Sequence, residues 1–414
     1  MKKLLLFLTI LVLFGSLSSC RDKCKETRLV LRQIPIYHPF SEIRGGVDVA
    51  PAREIQDPGK VFVQGNYLFI NEIKQGVHVI DNSDPANPRF ISFIKIPGNG
   101  DIVVRDNILY ADSYTDIVAI DIRDPAHAME VGRVHDVFYS GSFNSVQWSA
   151  GQEGLFIGEY NEKYETETFE VDCEDNTPVP VRDMVYTSTV SEGMKSVTRF
   201  AFEDKFLYSI VNWGSFGVFD LGIPAKPVSK NRINTESTLF SIVAYRNKLF
   251  LGSQSGTVLY DNTDPAMPKK ISNFPQGAPC DQVTIQDDIA YVTTRTSSFC
   301  GSIANKLDVI DISDSKVPKR VKSYRMENPR ATLVDFPTLY LCEGESGLKV
   351  FDVRDPMEID KHLLSVKKDI VAYGVVSLGK TILVTGKDCF YQFDTTNPAA
   401  LREISKIPIK KATR

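Results

Sequence analysis

The sequence predicts an all-β fold, a β-propeller of eight four-stranded blades, and two marks that recur along the 414 residues carry this prediction. The first mark is an aspartate that ends an apolar run before a turn, and it falls at Asp81, Asp121, Asp172, Asp220, Asp261, Asp311, Asp352 and Asp394. The second mark is an apolar triplet that precedes each aspartate, and its centres are Phe69, Tyr110, Phe156, Tyr208, Phe250, Tyr291, Tyr340 and Leu383. Steps of about 40 to 50 residues are typical of repeats that each form one propeller blade.

The first repeat shows where the strands of a blade are expected. Its segments "KVFVQGN", "YLFINE", "GVHVIDN" and "RFISFIKI" are short apolar runs separated by turn-forming residues. Several of these runs are apolar on both faces, as expected for blades that pack against a neighbour on either side. Helical periodicity is not sustained anywhere in the chain.

An Asp-Pro phrase recurs between the third and fourth predicted strands, for example "DNSDPANP" at residues 81–88. An aspartate side chain accepts hydrogen bonds from backbone amides two residues on, and proline presets φ for a type I turn. We therefore interpret the phrase as the outer turn of each blade, where it fixes strand register. The alternative, calcium held by Asp81 and Asp84, needs converging carboxylates, whereas the repeats distribute them around a rim.

The phrases "VHVIDNSDPANP", "LDVIDISDSKVP" and "LKVFDVRDP" resemble the LVIVD repeat of bacterial β-propeller proteins, many of which are lipoproteins. The resemblance covers most of residues 60–408. The third repeat ("FEVDCEDNTP") and the fourth ("FDLGIPAKP") depart from the pattern, and if the third is an insertion the blade count becomes seven. The resemblance implies a propeller fold and an exported location, and it carries no established activity or catalytic residues.

The N-terminus predicts export. Residues 1–19 have the basic start and short apolar run of a signal peptide, too short to span a membrane comfortably. The following "LSSC" resembles the lipobox of bacterial lipoproteins, which implies cleavage before Cys20 and its acylation; an ordinary secretory signal is the alternative. Arg21 stands where some inner-membrane lipoproteins have an aspartate, so we expect a lipid anchor in the outer membrane, with the leaflet left open.

The predicted domains follow from these boundaries. Residues 20–58 are a lipidated cysteine and linker, in which 27–37 ("TRLVLRQIPIY") is a candidate additional strand, and residues 59–414 form one propeller domain. The formal charge of −4 gives no reason to expect a nucleic-acid partner. The histidines and cysteines form no metal-ligand cluster in the sequence, and we expect neither a metal nor a cofactor.

Irregular spacing indicates where binding loops lie. Between aromatic and aspartate the usual distance is 11 or 12 residues, but it is 16 in the third repeat and 20 in the sixth. We place these additions between strands two and three, on the same face as the links between blades. Cys280 and Cys300 both fall on that face, and an exported protein favours disulfides, so we predict a disulfide between them.

The candidate binding residues lie on this enlarged face. Those that open the first strands and ring the channel mouth are Asp101, Asn144, Lys195, Phe240, Asp281, Arg330 and Tyr373. Farther out, in or beside the loops between strands two and three, are Tyr160, Trp213, Arg295 and Glu343. Mixed charges with aromatic residues suit a polar ligand or a peptide, although the rim of any soluble propeller has a similar composition.

We therefore predict an exported, lipid-anchored binding module of the cell envelope, whose partner is an envelope protein or a glycan. Membrane contact is expected through the lipid anchor only. The alternative is a glycan-active enzyme that uses Asp101 and Asp281 as an acid and base pair. No motif of a common hydrolase, metalloprotease or nucleotide-binding protein is present. A structural scaffold within an envelope complex is a third interpretation.

Overall fold

The computed structural model describes residues 23–143, 146–172, 199–274, 282–296 and 304–410. Across these residues the chain forms eight antiparallel sheets, seven with four strands and the first with a fifth. The all-β prediction and the count of eight four-stranded repeats are confirmed. The chain divides into two compact units, residues 1–37 with 156–188, and residues 38–155 with 189–414.

The first half of the described chain contains one short helix, α1 (Phe40–Ile43), and strands that run in the order β1 (Lys23–His38), β2 (Asp48–Pro51), β3 (Pro58–Gln64), β4 (Tyr67–Glu72), β5 (Gly76–Asp81), β6 (Arg89–Lys95), β7 (Ile102–Arg105), β8 (Ile108–Ser113), β9 (Asp116–Asp121), β10 (Met129–Val134), β11 (Ser140–Phe143), β12 (Val146–Gly151), β13 (Gly154–Asp172), β14 (Phe200–Glu203), β15 (Phe206–Asn212), β16 (Ser215–Asp220) and β17 (Val228–Asn234). The remaining strands are β18 (Leu239–Ala244), β19 (Lys248–Ser253), β20 (Gly256–Asp261), β21 (Lys269–Asn273), β22 (Gln282–Gln286), β23 (Ile289–Thr294), β24 (Lys306–Asp311), β25 (Lys319–Arg325), β26 (Ala331–Asp335), β27 (Thr338–Cys342), β28 (Leu348–Asp352), β29 (Leu363–Lys367), β30 (Gly374–Ser377), β31 (Thr381–Thr385), β32 (Cys389–Asp394) and β33 (Arg402–Pro408). Single 3₁₀ turns cover Pro125–His127 and Ile359–Lys361.

Sheets are numbered here by repeat. Six of them are simple meanders of four successive strands, β7–β10 (second), β14–β17 (fourth), β18–β21 (fifth), β22–β25 (sixth), β26–β29 (seventh) and β30–β33 (eighth). In the first sheet β2 pairs with β6 beside the meander β3–β6, and the third has the order β1-β13-β12-β11. The four predicted strands of the first repeat coincide with β3 to β6 within two residues at each end.

The Asp-Pro phrase forms two consecutive turns, each closed by an Asx side chain. In the first sheet Asp81 Oδ1 accepts the backbone N–H of Ser83 at 2.9 Å, and Asp84 Oδ1 accepts that of Ala86 at 3.0 Å. The same two bonds recur at Asp121 and Asp124, Asp261 and Asp264, Asp311 and Asp314, Asp352 and Asp355, and Asp394 and Asn397. The interpretation of the phrase as a register-fixing turn is confirmed.

The same turns also join neighbouring sheets. A hydroxyl group in one sheet donates a hydrogen bond to a backbone carbonyl in the next sheet's turn, most often that of the proline. The pairs are Ser92 with Pro125, Tyr110 with Pro224, Tyr208 with Pro265, Ser272 with Ser315, Tyr324 with Pro356, Ser365 with Pro398, and Ser405 with Pro85, at 2.6–3.1 Å. A single short phrase therefore sets both the hairpin and the spacing between blades.

These links form a closed cycle that passes directly from the second sheet to the fourth. Tyr110 Oη in the second sheet donates to Pro224 O in the fourth, and Asp101 before β7 accepts the backbone N–H groups of Arg199 and Phe200 before and in β14. The cycle thus joins seven of the eight sheets. The chain nevertheless contains the eight sheets that were predicted, the third repeat among them.

Closure of the cycle joins the first and last sheets. Ile55 pairs with Ile409 in a parallel bridge, and Lys410 N–H donates to Ile55 O at 2.8 Å. Between the same sheets the buried side-chain amides of Asn82 and Gln392 exchange two hydrogen bonds, at 3.0 and 2.8 Å. Polar pairing and a shared apolar cluster close the cycle.

Apolar cores lie between successive sheets. In the seven sheets of the cycle, the second and third strands of the meander are largely buried on both faces, for example β8 and β9 along nearly their whole length. In the third sheet most described side chains of β13 are exposed. Separate clusters fill the spaces between the first and second sheets and between the seventh and eighth, among others. This arrangement explains why the repeats have apolar runs with little alternation.

The third repeat differs from its prediction. Its extra residues form the continuous 19-residue strand β13, where we had expected a loop between strands two and three. In the unit formed by residues 1–37 and 156–188, β1 contains all of the predicted extra strand 27–37 and lies beside β13, with Thr27 and Thr168 side chains 3.2 Å apart and Gln33 bonded to Glu162 at 3.1 Å. The extra residues of β13 pair with the N-terminal strand β1. The spacing of the sequence marks does not reveal this partner.

Candidate binding surface at the loop edge

The loop edge is the edge of the sheets from which the strand-two-to-three loops and the links between sheets emerge. Three backbone hydrogen bonds of 2.8 Å hold such segments together around the fourth and fifth sheets. They run from Thr235 N to Gly214 O, from Leu239 N to Trp213 O, and from Gln254 N to Thr238 O. The expectation that loops and links share one face agrees with this local geometry.

Trp213 is presented at the loop edge on a fixed backbone. It lies in the two-residue turn between β15 and β16, where Asn212 Oδ1 accepts Gly214 N–H at 2.9 Å and the Ser215 hydroxyl at 2.8 Å. Its side chain is 49% exposed, and its ring meets the ring of Phe240 edge-on at 6.4 Å. An exposed tryptophan on a fixed backbone loses little backbone entropy on binding, so this is a strong candidate anchor.

A cleft of about 300 Å³ lies between the link of residues 235–239 and the fifth sheet. Leu239, whose N–H is bonded to the Trp213 carbonyl, lines it together with Leu251 and Tyr260. Thr235, Ser237, Ser255 and Asn273 supply polar groups, and the side chains of Glu236 and Lys270 pair at 2.6 Å. Apolar and polar residues thus share the lining, which is more polar than that of a typical small-ligand site. Phe240 is buried and contacts the ring of Trp213.

Asp101 has a different environment from the one expected of a ligand-binding carboxylate. It is 2% exposed, and its oxygens accept the N–H groups of Arg199 at 2.6 Å, Phe200 at 3.0 Å and Ile102 at 2.8 Å. Lys60 Nζ lies 3.1 Å away. This carboxylate therefore joins the first, second and fourth sheets. Its proposed catalytic partner Asp281 lies outside the described residues, so the separation of the two remains a prediction.

Arg330 and Tyr373 come together across the seventh and eighth sheets. Each immediately precedes the first strand of its sheet, and the guanidinium carbon of Arg330 lies 5.5 Å from the centre of the Tyr373 ring. Burial lowers the pKa of Arg330. Burial, followed by the positive charge of Arg330, also lowers the pKa of Arg295, which follows β23 in the sixth sheet. Three predicted candidates are thus neighbours.

Glu343 belongs to a structural pattern that the sequence analysis missed. Its Oε1 accepts Glu327 N–H at 2.7 Å, and its other oxygen pairs with Lys349. Glu72 likewise accepts the N–H groups of Gln56 and Asp57, and Asp112 those of Gly100 and Asp101. All three carboxylates are buried and follow the aromatic mark by two or three residues. This spacing was visible in the sequence and indicates that the carboxylate holds the link to its own sheet in the first, second and seventh sheets.

A basic side chain lies beside each of two of these carboxylates. His78 Nε2 lies 2.8 Å from Glu72, and Arg199 Nη1 lies 2.8 Å from Asp112. Burial acts to raise the pKa of Glu72, but the hydrogen bonds from His78 and the backbone outweigh it and lower that pKa. For the more deeply buried Asp112, burial prevails and raises the pKa. These carboxylates therefore hold the backbone of the links and are engaged by protein groups.

Tyr160 is the one described candidate in the smaller unit. It lies within β13, 43% exposed, and its ring packs against Phe156 at 5.0 Å. The structure does not describe Asn144, Lys195, Asp281, Cys20, Cys280 and Cys300, so their proposed roles stay predictions. Cys342 is free and buried, which raises the pKa of its thiol, and Cys389 is free and half-buried.

In the described ranges, no helix is long and apolar enough to cross a membrane.

No curated protein sequence shows detectable similarity to the chain. By structure, the chain is similar to the computationally designed Ika8 protein, with a TM-score of 0.53, 8% identity, and coverage of 87% of this chain and 91% of that one. It is also similar to Sqt1 of Saccharomyces cerevisiae, with a TM-score of 0.52, 7% identity, and coverage of 87% of each chain. Such low identities support the fold only.

The family comparison agrees with the repeats. The model of the LVIVD repeat matches residues 57–94, 99–136 and 299–325, in the first, second and sixth repeats. A β-propeller fold with such repeats suggests a protein-interaction module. The chain therefore carries LVIVD repeats in three segments of a propeller-type all-β fold.

Proposed function

We propose that the protein is an exported, lipid-anchored interaction module of the cell envelope, which binds an envelope protein or glycan through its loop edge. The observation that carries the binding proposal is the exposed Trp213, whose backbone carbonyl is bonded to the N–H of Leu239 in the lining of the cleft of about 300 Å³. Tryptophan is enriched among residues that dominate binding energy, and its flat face suits either an apolar side chain or a sugar ring. The signal-like N-terminus and the lipobox-like sequence ending at Cys20 support export and anchoring.

The binding proposal is tested by comparing wild type with Trp213→Ala in quantitative pull-downs from solubilised cell envelopes and on a glycan array. Phe336→Ala is the matched control, because Phe336 is an aromatic residue of similar exposure, 56%, in the turn between β26 and β27. We expect Trp213→Ala to lose at least about tenfold in affinity for a partner that the control retains, with an unchanged melting temperature. A partner set that is identical for both variants would count against the proposal.

Anchoring is tested separately with Cys20→Ser. The wild-type protein should enter the detergent phase on Triton phase separation and carry acyl groups by mass spectrometry, whereas Cys20→Ser should remain aqueous and unmodified. Cys389→Ser, which changes a free cysteine in the eighth sheet, is the control and should behave like wild type. Wild-type protein without acyl groups would refute the anchor and leave the binding proposal intact.

A further inference from the structure

The side chain of Arg330 contains a buried hydrogen-bond donor without an acceptor in the described chain. Its Nε is buried and has no hydrogen-bond partner among the described residues. Its backbone N–H donates to Cys342 O at 2.8 Å, which fixes the start of the side chain against the neighbouring strand β27. A buried donor without an acceptor costs free energy unless a ligand or water supplies the acceptor.

The surroundings of Arg330 add positive charge and an aromatic wall. Arg295 lies close enough that, after burial, the positive charge of Arg330 lowers the pKa of Arg295. Tyr373 covers one side of the guanidinium, and its own backbone N–H is bonded to Thr385 O at 2.8 Å, so the ring rests on a fixed main chain. Sheets six, seven and eight thus each supply one member of the cluster.

Acidic groups near the cluster are engaged or exposed. The carboxylate of Glu343 is held by Glu327 N–H and by Lys349. Glu345 is solvent-exposed. It raises the pKa of Arg330, but its effect is smaller than those of burial and of Tyr373. Burial nevertheless leaves the pKa of Arg330 below its usual value. The net electrostatic environment favours an incoming negative charge.

We propose that Arg330, with Arg295 and Tyr373, forms a binding site for an oxyanion, a carboxylate or phosphate group. The planar guanidinium pairs well with either group through two parallel N–H···O bonds. This inference deepens the proposed function, because it assigns a negative charge to the partner. It uses sheets six to eight and is independent of the Trp213 cleft on sheets four and five.

The side-chain Nε–Hε resonance of Arg330 tests the site directly by NMR. Titration of the folded protein with inorganic phosphate, and separately with acetate, at constant ionic strength set by chloride should move this resonance saturably. A response to phosphate alone or to acetate alone identifies which group the site prefers. The absence of any saturable response to either anion would overturn the proposal.

Variants separate a binding role from a structural one. Arg330→Met should weaken anion binding at least about tenfold, because a charge-assisted bond is lost, as followed by the shift of the Tyr373 signals. Arg330→Lys keeps the charge but lacks the planar fork, and we expect an intermediate loss. Arg402→Met is the control, since Arg402 is an exposed arginine paired with Asp394 at 2.7 Å in an Asp-Pro turn. Equal binding by Arg330→Met and the control would also overturn the site.

These results remain distinguishable from failure of the proposed function. Trp213→Ala should bind phosphate or acetate as wild type does, because it leaves sheets six to eight unchanged. If the anion binds but no envelope partner depends on Trp213, the oxyanion site stands and the Trp213 cleft is refuted. If the Trp213-dependent partner binds with equal affinity to Arg330→Met, the two sites serve different ligands and the assignment of charge to that partner is wrong.

Discussion

Asp101 and Arg330 occupy corresponding places, directly before the first strand of the second and seventh sheets, yet their surroundings are opposite. Asp101 is 2% exposed and is bonded to the N–H groups of Arg199 and Phe200 and to Lys60. Arg330 is half-buried, and its Nε has no partner in the described chain. One residue joins three sheets, while the other retains a polar group available to a ligand.

The difference teaches that position in the repeat does not determine role. The second sheet meets the fourth without an intervening blade, and Asp101 lies at that junction, where buried backbone amides need an acceptor. The seventh sheet lies between ordinary neighbours, and the link entering it is already held by Glu343. Arg330 is therefore not required for the connection between sheets and is free to serve binding.

Removing the charge of Asp101 should have the largest effect on stability. Asp101→Asn turns an amide toward buried N–H groups and leaves Lys60 without its partner, so we expect a loss of about 2–4 kcal/mol in the free energy of unfolding. Urea denaturation measures this loss. Asp106→Asn is the control, because Asp106 lies in the same sheet with its side chain 66% exposed. A stable Asp101→Asn protein with altered ligand binding would reverse the comparison.

Glu343 sharpens the comparison because it lies in the same sheet as Arg330 but resembles Asp101 in its environment. Glu343→Gln should destabilise the protein by about 1–3 kcal/mol, since a buried charged acceptor is lost. Lys349 forms an ion pair with Glu343, which raises the pKa of Lys349 against the opposing effect of burial. Denaturation of Glu343→Gln, Lys349→Met and the double variant measures their coupling free energy. Zero coupling would show that Glu343 acts only on the backbone.

Arg330→Met should change the free energy of unfolding by less than about 1 kcal/mol, because within the described residues the side chain makes no hydrogen bond whose loss would leave a partner unpaired. The same denaturation experiment measures this change. A loss comparable to that of Asp101→Asn would mean that Arg330 is structural, and the contrast between the two positions would disappear.

Much of the fold was predictable because its signals are local. The Asp-Pro turns, the aromatic marks and the first repeat's strands follow from short segments, and the structure places them as expected. The direct contact between the second and fourth sheets, and the pairing of β13 with β1, depend on segments far apart in sequence. Spacing cannot reveal such partners, so the third repeat was expected to have an ordinary blade's loop.

The candidate site was predictable only in part for a related reason. The repeat places Asp101, Arg330 and Tyr373 at first-strand starts, and the structure brings Arg330, Tyr373 and Arg295 together. Burial and hydrogen-bond satisfaction separate the anchoring carboxylates from the available arginine, and both depend on neighbours that a single sequence does not identify. The spacing of Glu72, Asp112 and Glu343 after each aromatic mark was the signal that remained unused.

The turn carboxylates at the opposite end of the seventh sheet provide the smallest expected effect. The side chain of Arg354, followed by its backbone N–H, lowers the pKa of Asp352 to about 2. Because the folded pKa lies below the ordinary value of about 3.9, the stabilisation is complete above about pH 4 and is lost as pH falls through about 2. NMR titration of the Asp352 carboxyl measures this directly. Arg354→Ala should raise that pKa toward its ordinary value while the backbone N–H keeps it somewhat low. An unshifted Asp352 in wild type would mean that the turn is held by proline and backbone geometry, and that carboxylates stabilise this protein only where, like Asp101, they are buried between sheets.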